Sequence, residues 1–169
     1  VASSFVVWPE GRFEGGGLAL RCALGRSGVI PAREKREGDG ATPAGTWPVR
    51  RVFYRPDRGA APQTGLPVIA LRPQDGWCDD PRECLYNRLV PLPRAGSHEK
   101  MWREDRLYDL VAELGYNDDP VEPGKGSAIF LHISRAGYLP TEGCVALAEA
   151  DLREVLKRLG GGSVIDIRT

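Results

Sequence analysis

The sequence is poor in the residues that announce a metal centre, a disulfide scaffold or a membrane segment. It holds two histidines, one methionine and four cysteines in 169 residues. Four cysteines are too few to staple a chain of this length, and their spacing lacks the paired clusters of structural zinc. A zinc site built from Cys78, Cys84 and His98 is therefore set aside. Excess charge is missing too, since Lys plus Arg and Asp plus Glu both number 23. A nucleic-acid binder gains from a basic stripe that releases counterions, and none is present. The run Arg33 to Glu37 mixes both signs and reads as a solvated loop. No apolar stretch approaches the roughly 20 residues of a membrane span. Val1 to Trp8 is apolar, but no basic region or cleavage site accompanies it, so no signal peptide is visible.

What the chain does have is enough apolar residue, 41%, for a core, and the length suits one domain over residues 1–169. Its 21 glycines and 14 prolines are spread along the sequence between short apolar runs. That punctuation predicts strands and loops rather than a helical bundle. Strands are expected at Phe5–Pro9, Gly17–Leu24, Gly45–Tyr54, Val68–Leu71, Ser127–Ile133 and Ser163–Ile167. Segment Leu107–Asn117 fits both a helix face and strict alternation, and the β character of its surroundings favours a strand. A helix is expected from about Glu149 to Leu159, with Leu152, Val155, Leu156 and Leu159 on one stripe and Gly160 ending it. The fold class expected is mainly β, with this C-terminal helix and up to two further short ones.

From Arg72 to Arg106 the pattern is irregular and rich in polar and aromatic residues. Long irregular stretches in compact domains are usually functional, so this one reads as a lid or wall over a site. Cys22 reads as a small buried hydrophobe. Cys78 and Cys84, six residues apart, either pair as a disulfide in an oxidising compartment or stay free.

One pairing carries nucleophilic chemistry. His132 lies in the apolar strand Ser127–Ile133, on the face shared by Ala128, Phe130 and Ser134. Twelve residues on, Cys144 follows Gly143. The glycine permits a tight turn that exposes the sulfur, whose backbone N–H groups could hold an oxyanion and lower the thiol pKa. An imidazole can take the thiol proton and return it to a leaving amine. The group orienting that imidazole is open: a carbonyl near Ile133 or Ser134, or a carboxylate such as Glu99 or Asp79. The competing reading is an inert buried cysteine and a satisfied core histidine.

At these residues the chain resembles the YkuD-type L,D-transpeptidase catalytic domain family. That family's signature is a strand His, a variable loop, then Ser/Thr-His-Gly-Cys and apolar residues. His132, Thr141, Gly143, Cys144 and Val145 match it, and Thr42-Pro-Ala-Gly-Thr-Trp47 echoes an upstream Thr-Pro-x-Gly-x-Phe feature. A compact bacterial subgroup is closer still. The resemblance to it is carried by Lys35 to Pro43, Gly76 to Pro81, Tyr86-Asn-Arg88, Gly115-Tyr-Asn117, Gly126 to His132 and Pro140 to Cys144, spanning about residues 18 to 167. Three departures stand out. Glu142 occupies the place of the family's second His, and Ala146 the place of a common Arg. The loop joining His132 to Cys144 is also shorter than usual.

The resemblance implies a β-sandwich-like fold with Cys144 and His132 in a groove. It implies a cysteine acyltransferase that cross-links peptidoglycan stem peptides in the bacterial periplasm or cell envelope, with no metal or organic cofactor. Near the groove it places Trp77, Asp79, Tyr86, Asn87, Tyr116, Asn117, Ser134 and Glu142, each with a plain packing or loop role as the alternative. Arg135 or Arg88 would meet stem carboxylates, and His98 reads as a loop-fixing residue. The partner is a stem peptide, and a monomer is the default. Rivals are an L,D-carboxypeptidase with water as acceptor, a wall-binding module without catalysis, and a redox thiol protein, which would want a resolving Cys nearby.

Overall fold

The computed structural model describes residues 2–169. It is mostly β, with strands β1 (Ser4–Trp8), β2 (Arg12–Gly15), β3 (Leu18–Arg21), β4 (Val29–Pro31), β5 (Thr42–Tyr54), β6 (Val68–Ala70), β7 (Asp75–Cys78), β8 (Leu89–Pro91), β9 (His98–Lys100), β10 (Leu110–Leu114), β11 (Phe130–Ile133), β12 (Val145–Leu147) and β13 (Val164–Ile167). One α-helix, α1, covers Glu149–Arg158, and single 3₁₀ turns occur at Ala32–Glu34 and Ala136–Tyr138. No helix among the described residues is long and apolar enough to cross a membrane.

The long strand β5 is the spine. Its first half pairs with β13 and β4, its second half with β10 and β6. Around it the larger sheet runs β12-β11-β10-β5-β13-β1-β2-β3. Alternation sorts the side chains of its site-bearing strands into two clusters, because successive residues of a strand point to opposite faces. Val52, Leu110, Ala112, Leu131, Ile133, Val145 and Leu147 join the main core, which α1 caps with Leu152, Val155 and Leu156. Phe53, Val111, Phe130 and Cys144 face the other way, into a second cluster with Trp77 and Tyr108. Both faces of β10 are therefore buried, which is why its apolar pattern fits two periods at once.

Several boundaries differ from expectation for physical reasons. The strand expected from Ser127 begins only at Phe130, because Ala128 adopts a φ of 54°, outside the β region. The helix ends at Arg158 on an extended Leu159, not on a left-handed Gly160. Gly160 serves packing instead: it bridges Gly65, where a Cβ would lie 3.1 Å from the Gly160 Cα. Within the segment expected to be irregular, β7 pairs with β8 and β9 as a separate three-stranded sheet. Strands of three or four residues, Asp-Gly-Trp-Cys, Leu-Val-Pro and His-Glu-Lys, give too few alternating apolar positions to announce themselves.

The stripe of α1 holds the helix to the sheet, so Leu152→Ala, at a position with no exposure, is expected to cost about 2–5 kcal/mol. Urea denaturation should show a lower midpoint with an unchanged slope. A midpoint equal to that of the parent would mean that α1 docks by other contacts.

Candidate active site

Strand pairing brings Cys144 and His132 together. β11 and β12 run parallel, with His132 opposite Ala146 and Leu131 opposite Val145. Cys144 stands two positions before Ala146, so its side chain falls on the same face as that of His132. The turn ahead of β12 is held by Thr141, whose hydroxyl donates to the Cys144 carbonyl at 2.7 Å and accepts from the Gly143 N–H at 3.1 Å. Gly143 has φ 139°, and a Cβ there would sit 2.8 Å from the Ala41 carbonyl oxygen. Only glycine fits this turn without a shift.

The sulfur is not exposed by that turn, contrary to expectation; Cys144 is 7% exposed. Its thiol donates to the Ala128 carbonyl at 3.1 Å and accepts from the Phe130 N–H at 3.4 Å. Burial, with the Glu99 charge second, pushes the thiol up to about 12 rather than down. No helix start lies beside the cysteine, because β12 intervenes before α1.

His132 is buried as well. Its Nδ1 lies 2.8 Å from the Ile133 carbonyl oxygen. A carbonyl can only accept, so Nδ1 carries the proton and Nε2 is left as the base. Tyr108 packs edge-on to the imidazole, ring centroids 5.3 Å apart. Burial lowers the imidazole to about 4. Of the orienting groups left open above, the backbone carbonyl is the one in contact. Glu99 instead accepts from the Tyr108 hydroxyl at 2.7 Å. No hydrogen bond joins Cys144 to His132 among the described residues; both line a cavity of about 340 Å³.

Of the residues placed near the groove, Asp79, Arg135 and Glu142 also line this cavity. Glu142 is a rim residue paired with Arg26 at 3.0 Å. The others lie behind the wall. Trp77 is 2% exposed and packs edge-on against Phe53 and Phe130. Asn87 accepts from the Trp77 indole (2.9 Å) and the Ala128 N–H (3.0 Å), and donates to the carbonyls of Tyr116 (3.1 Å) and Asn117 (2.8 Å). Tyr86 donates to Glu37, Tyr116 donates to the Lys125 carbonyl, and Asn117 closes the loop to Glu122 and Gly126. Ser134 is engaged through its backbone with Leu147. Arg88 reaches the Asp118 carbonyl, outside the cavity, and His98 lies against the Gly96 carbonyl. Cys78 and Cys84 are both free thiols, Cys78 buried and Cys84 exposed.

Sequence reasoning missed Lys35, Glu37, Arg103, Tyr108 and Ser127 as cavity residues. Lys35, Glu37 and Ser127 fall inside segments that carried the family resemblance, which was the available signal. Arg103 and Tyr108 had none, because they arrive through tertiary packing. The irregular segment does form a wall, through Asp79, Glu99 and Arg103.

The burial of the pair has a consequence for stability. An imidazole whose pKa falls from 6.5 to about 4 on folding leaves the unfolded state binding more protons in that window. The contribution is complete above pH 6.5 and lost as pH falls to about 4, an effect of roughly 3 kcal/mol. Urea midpoints measured across this range should fall with pH less steeply in His132→Gln than in the parent. Parallel slopes would mean that His132 titrates normally.

Residues 3–167 match the family model of the YkuD L,D-transpeptidase catalytic domain. Two solved structures are similar. Mycobacterium tuberculosis L,D-transpeptidase 1 shares 11% identity at a TM-score of 0.44, covering 98% of this chain and 61% of that one. An L,D-transpeptidase from Mycobacterium smegmatis shares 11% at 0.43, covering 99% and 58%. The chain thus spans about three-fifths of the length of either. No curated protein matches it. With all but a few terminal residues matched by the family model, the chain belongs to the YkuD family of L,D-transpeptidase catalytic domains.

Proposed function

We propose that this chain is one catalytic domain of a peptidoglycan L,D-transpeptidase acting in the cell envelope, with Cys144 as nucleophile and His132 as general base and acid. The observation that carries this reading is the shared cavity. A thiol and a neutral imidazole line it together, and the Ile133 carbonyl leaves only Nε2 free to take a proton.

In the resting protein both groups are neutral, given a thiol near 12 beside an imidazole near 4. As a stem peptide enters, Nε2 accepts the thiol proton and the sulfur attacks the carbonyl carbon of a peptide bond between an L and a D centre. The oxygen becomes anionic. Gly143 N–H is occupied by Thr141, whereas Cys144 N–H has no partner among the described residues and is the donor assigned to that oxygen. The C–N bond then breaks, and His132 protonates the departing amine of the terminal D-residue. An amine of a second stem attacks the thioester, the C–S bond breaks, and the cysteine is regenerated as the cross-link forms. Arg135, exposed and without an ion pair among the described residues, suits a stem carboxylate.

A carbapenem, whose strained lactam offers an acyl carbon to a thiolate, provides the test. Intact mass should show one adduct on the parent, none on Cys144→Ala, and slower formation on His132→Ala, by about a hundredfold or more. Equal labelling of Cys144→Ala would name another nucleophile. Tetrapeptide muropeptides would then report the acceptor: dimers for transpeptidation, tripeptides alone for a carboxypeptidase. Intact muropeptides and no adduct on any form would leave a binding module.

A further inference from the structure

Two adjacent side chains behind the cavity wall grip the backbone against which the sulfur rests. Tyr86 and Asn87, between β7 and β8, are 2% and 4% exposed. Both bind the run Gly126-Ser127-Ala128 that leads towards β11. The Gly126 N–H donates to the Tyr86 hydroxyl at 3.0 Å, and the Ala128 N–H donates to the Asn87 Oδ1 at 3.0 Å. Between them the Ser127 hydroxyl donates to Glu37, which also accepts from the Tyr86 hydroxyl. One network thus holds three consecutive residues.

The conformation it holds is not a relaxed one. Gly126 has φ 112° and Ala128 has φ 54°. An alanine adopts the left-handed region at a cost and keeps it only where its surroundings over-determine it. The thiol of Cys144 donates to the Ala128 carbonyl at 3.1 Å, and the Phe130 N–H lies 3.4 Å from the same sulfur. One backbone acceptor and one backbone donor therefore fix the sulfur, both from the segment that Tyr86 and Asn87 restrain. Relaxing Ala128 to the β region would re-aim its carbonyl.

We propose that Tyr86 and Asn87 are positioning residues for acylation: by restraining Gly126 and Ala128 they hold the Cys144 sulfur where the substrate carbonyl meets it. This rests on the reading of Cys144 as nucleophile. Neither side chain touches substrate, and no bond to either forms or breaks.

The need for such a device follows from the resting state of the pair. The imidazole is oriented by the Ile133 carbonyl. The thiol has no hydrogen bond to that imidazole among the described residues, so its alignment comes from the backbone beside it. Attack is productive when the reacting atoms approach to about 3–3.5 Å with aligned orbitals. A brace with a purely structural role makes a different prediction: stability falls, and the protein that stays folded keeps its chemistry.

The carbapenem reaction, followed by intact mass over time and concentration, tests this on three variants. Asn87→Gly deletes all four side-chain bonds while accommodating the φ of 59° at that position. Tyr86→Phe deletes only a hydroxyl, and carries the test should Asn87→Gly fail to fold. Leu152→Ala, in the main core under α1, loses stability without touching the run. The maximal acylation rate constant should fall by about a hundredfold in Asn87→Gly, the cost of roughly 1 Å of misplacement, and several-fold in Tyr86→Phe. The half-saturating concentration should be unchanged in both, and Leu152→Ala should react as the parent does. A parental rate constant in Tyr86→Phe, an equal loss in Leu152→Ala, or a change confined to the half-saturating concentration overturns the proposal.

Infrared spectroscopy reads the alignment without any reaction. The Cys144 S–H stretch, isolated by subtracting the spectrum of the matching Cys144→Ala protein, should move to higher wavenumber in Asn87→Gly and Tyr86→Phe as the bond to the Ala128 carbonyl weakens. A band that stays in place overturns the proposal. No adduct on the parent protein would sink the reading of Cys144 as nucleophile, while a shifted band would still show that Tyr86 and Asn87 place its sulfur.

Discussion

A single buried amide holds the site together. Asn87 spends all four of its hydrogen-bonding positions, two as acceptor from the Trp77 indole and the Ala128 N–H, two as donor to the Tyr116 and Asn117 carbonyls. These partners belong to the small sheet and to both ends of the connection between β10 and β11. Ala128 is held at a φ of 54°, a conformation rare outside glycine and asparagine. Its carbonyl is then the acceptor for the Cys144 thiol. The position of the sulfur is thus inherited from a side chain that never reaches the cavity. Leaving even one of those buried groups unsatisfied costs about 1–3 kcal/mol, which ties the wall's integrity to the site's geometry.

The same burial that fixes the pair suppresses its reactivity. A thiol held up near 12 and an imidazole held down near 4 make a neutral couple, unlike the ion pair of many cysteine enzymes. Desolvation is the first cause in both cases, and it acts against the charged form of each. The device protects a thiol that would otherwise be oxidised or alkylated, since thiolate character governs both reactions. It also means that charge brought in by a ligand has a large effect, because a buried site screens charge less than bulk water does.

Much of this was legible in the residues. The alternation around Phe130 and His132, the glycine before Cys144 and the stripe along α1 each encode a local geometry, and local geometry is what periodicity reports. The family resemblance implied a shared groove for Cys144 and His132 before any contact was known. The roles of Trp77, Asn87, Tyr86 and Tyr116 were not legible in the same way. A polar or aromatic residue in a loop gives the same sequence signal whether it touches a ligand or braces the wall from behind. Glu99 on β9 and Tyr108 just before β10 meet only in the folded chain.

By itself, then, the sequence determined the β character, the helix, the family and the two residues that share a cavity, because these rest on short-range pattern and on a spaced motif. Only the tertiary structure decided how deeply those two residues lie, which carbonyl orients the imidazole, and which charges face the sulfur. Burial and electrostatics are sums over neighbours from distant segments, here Lys35, Glu99 and Arg103 around Cys144, and no local pattern in a chain records such a sum.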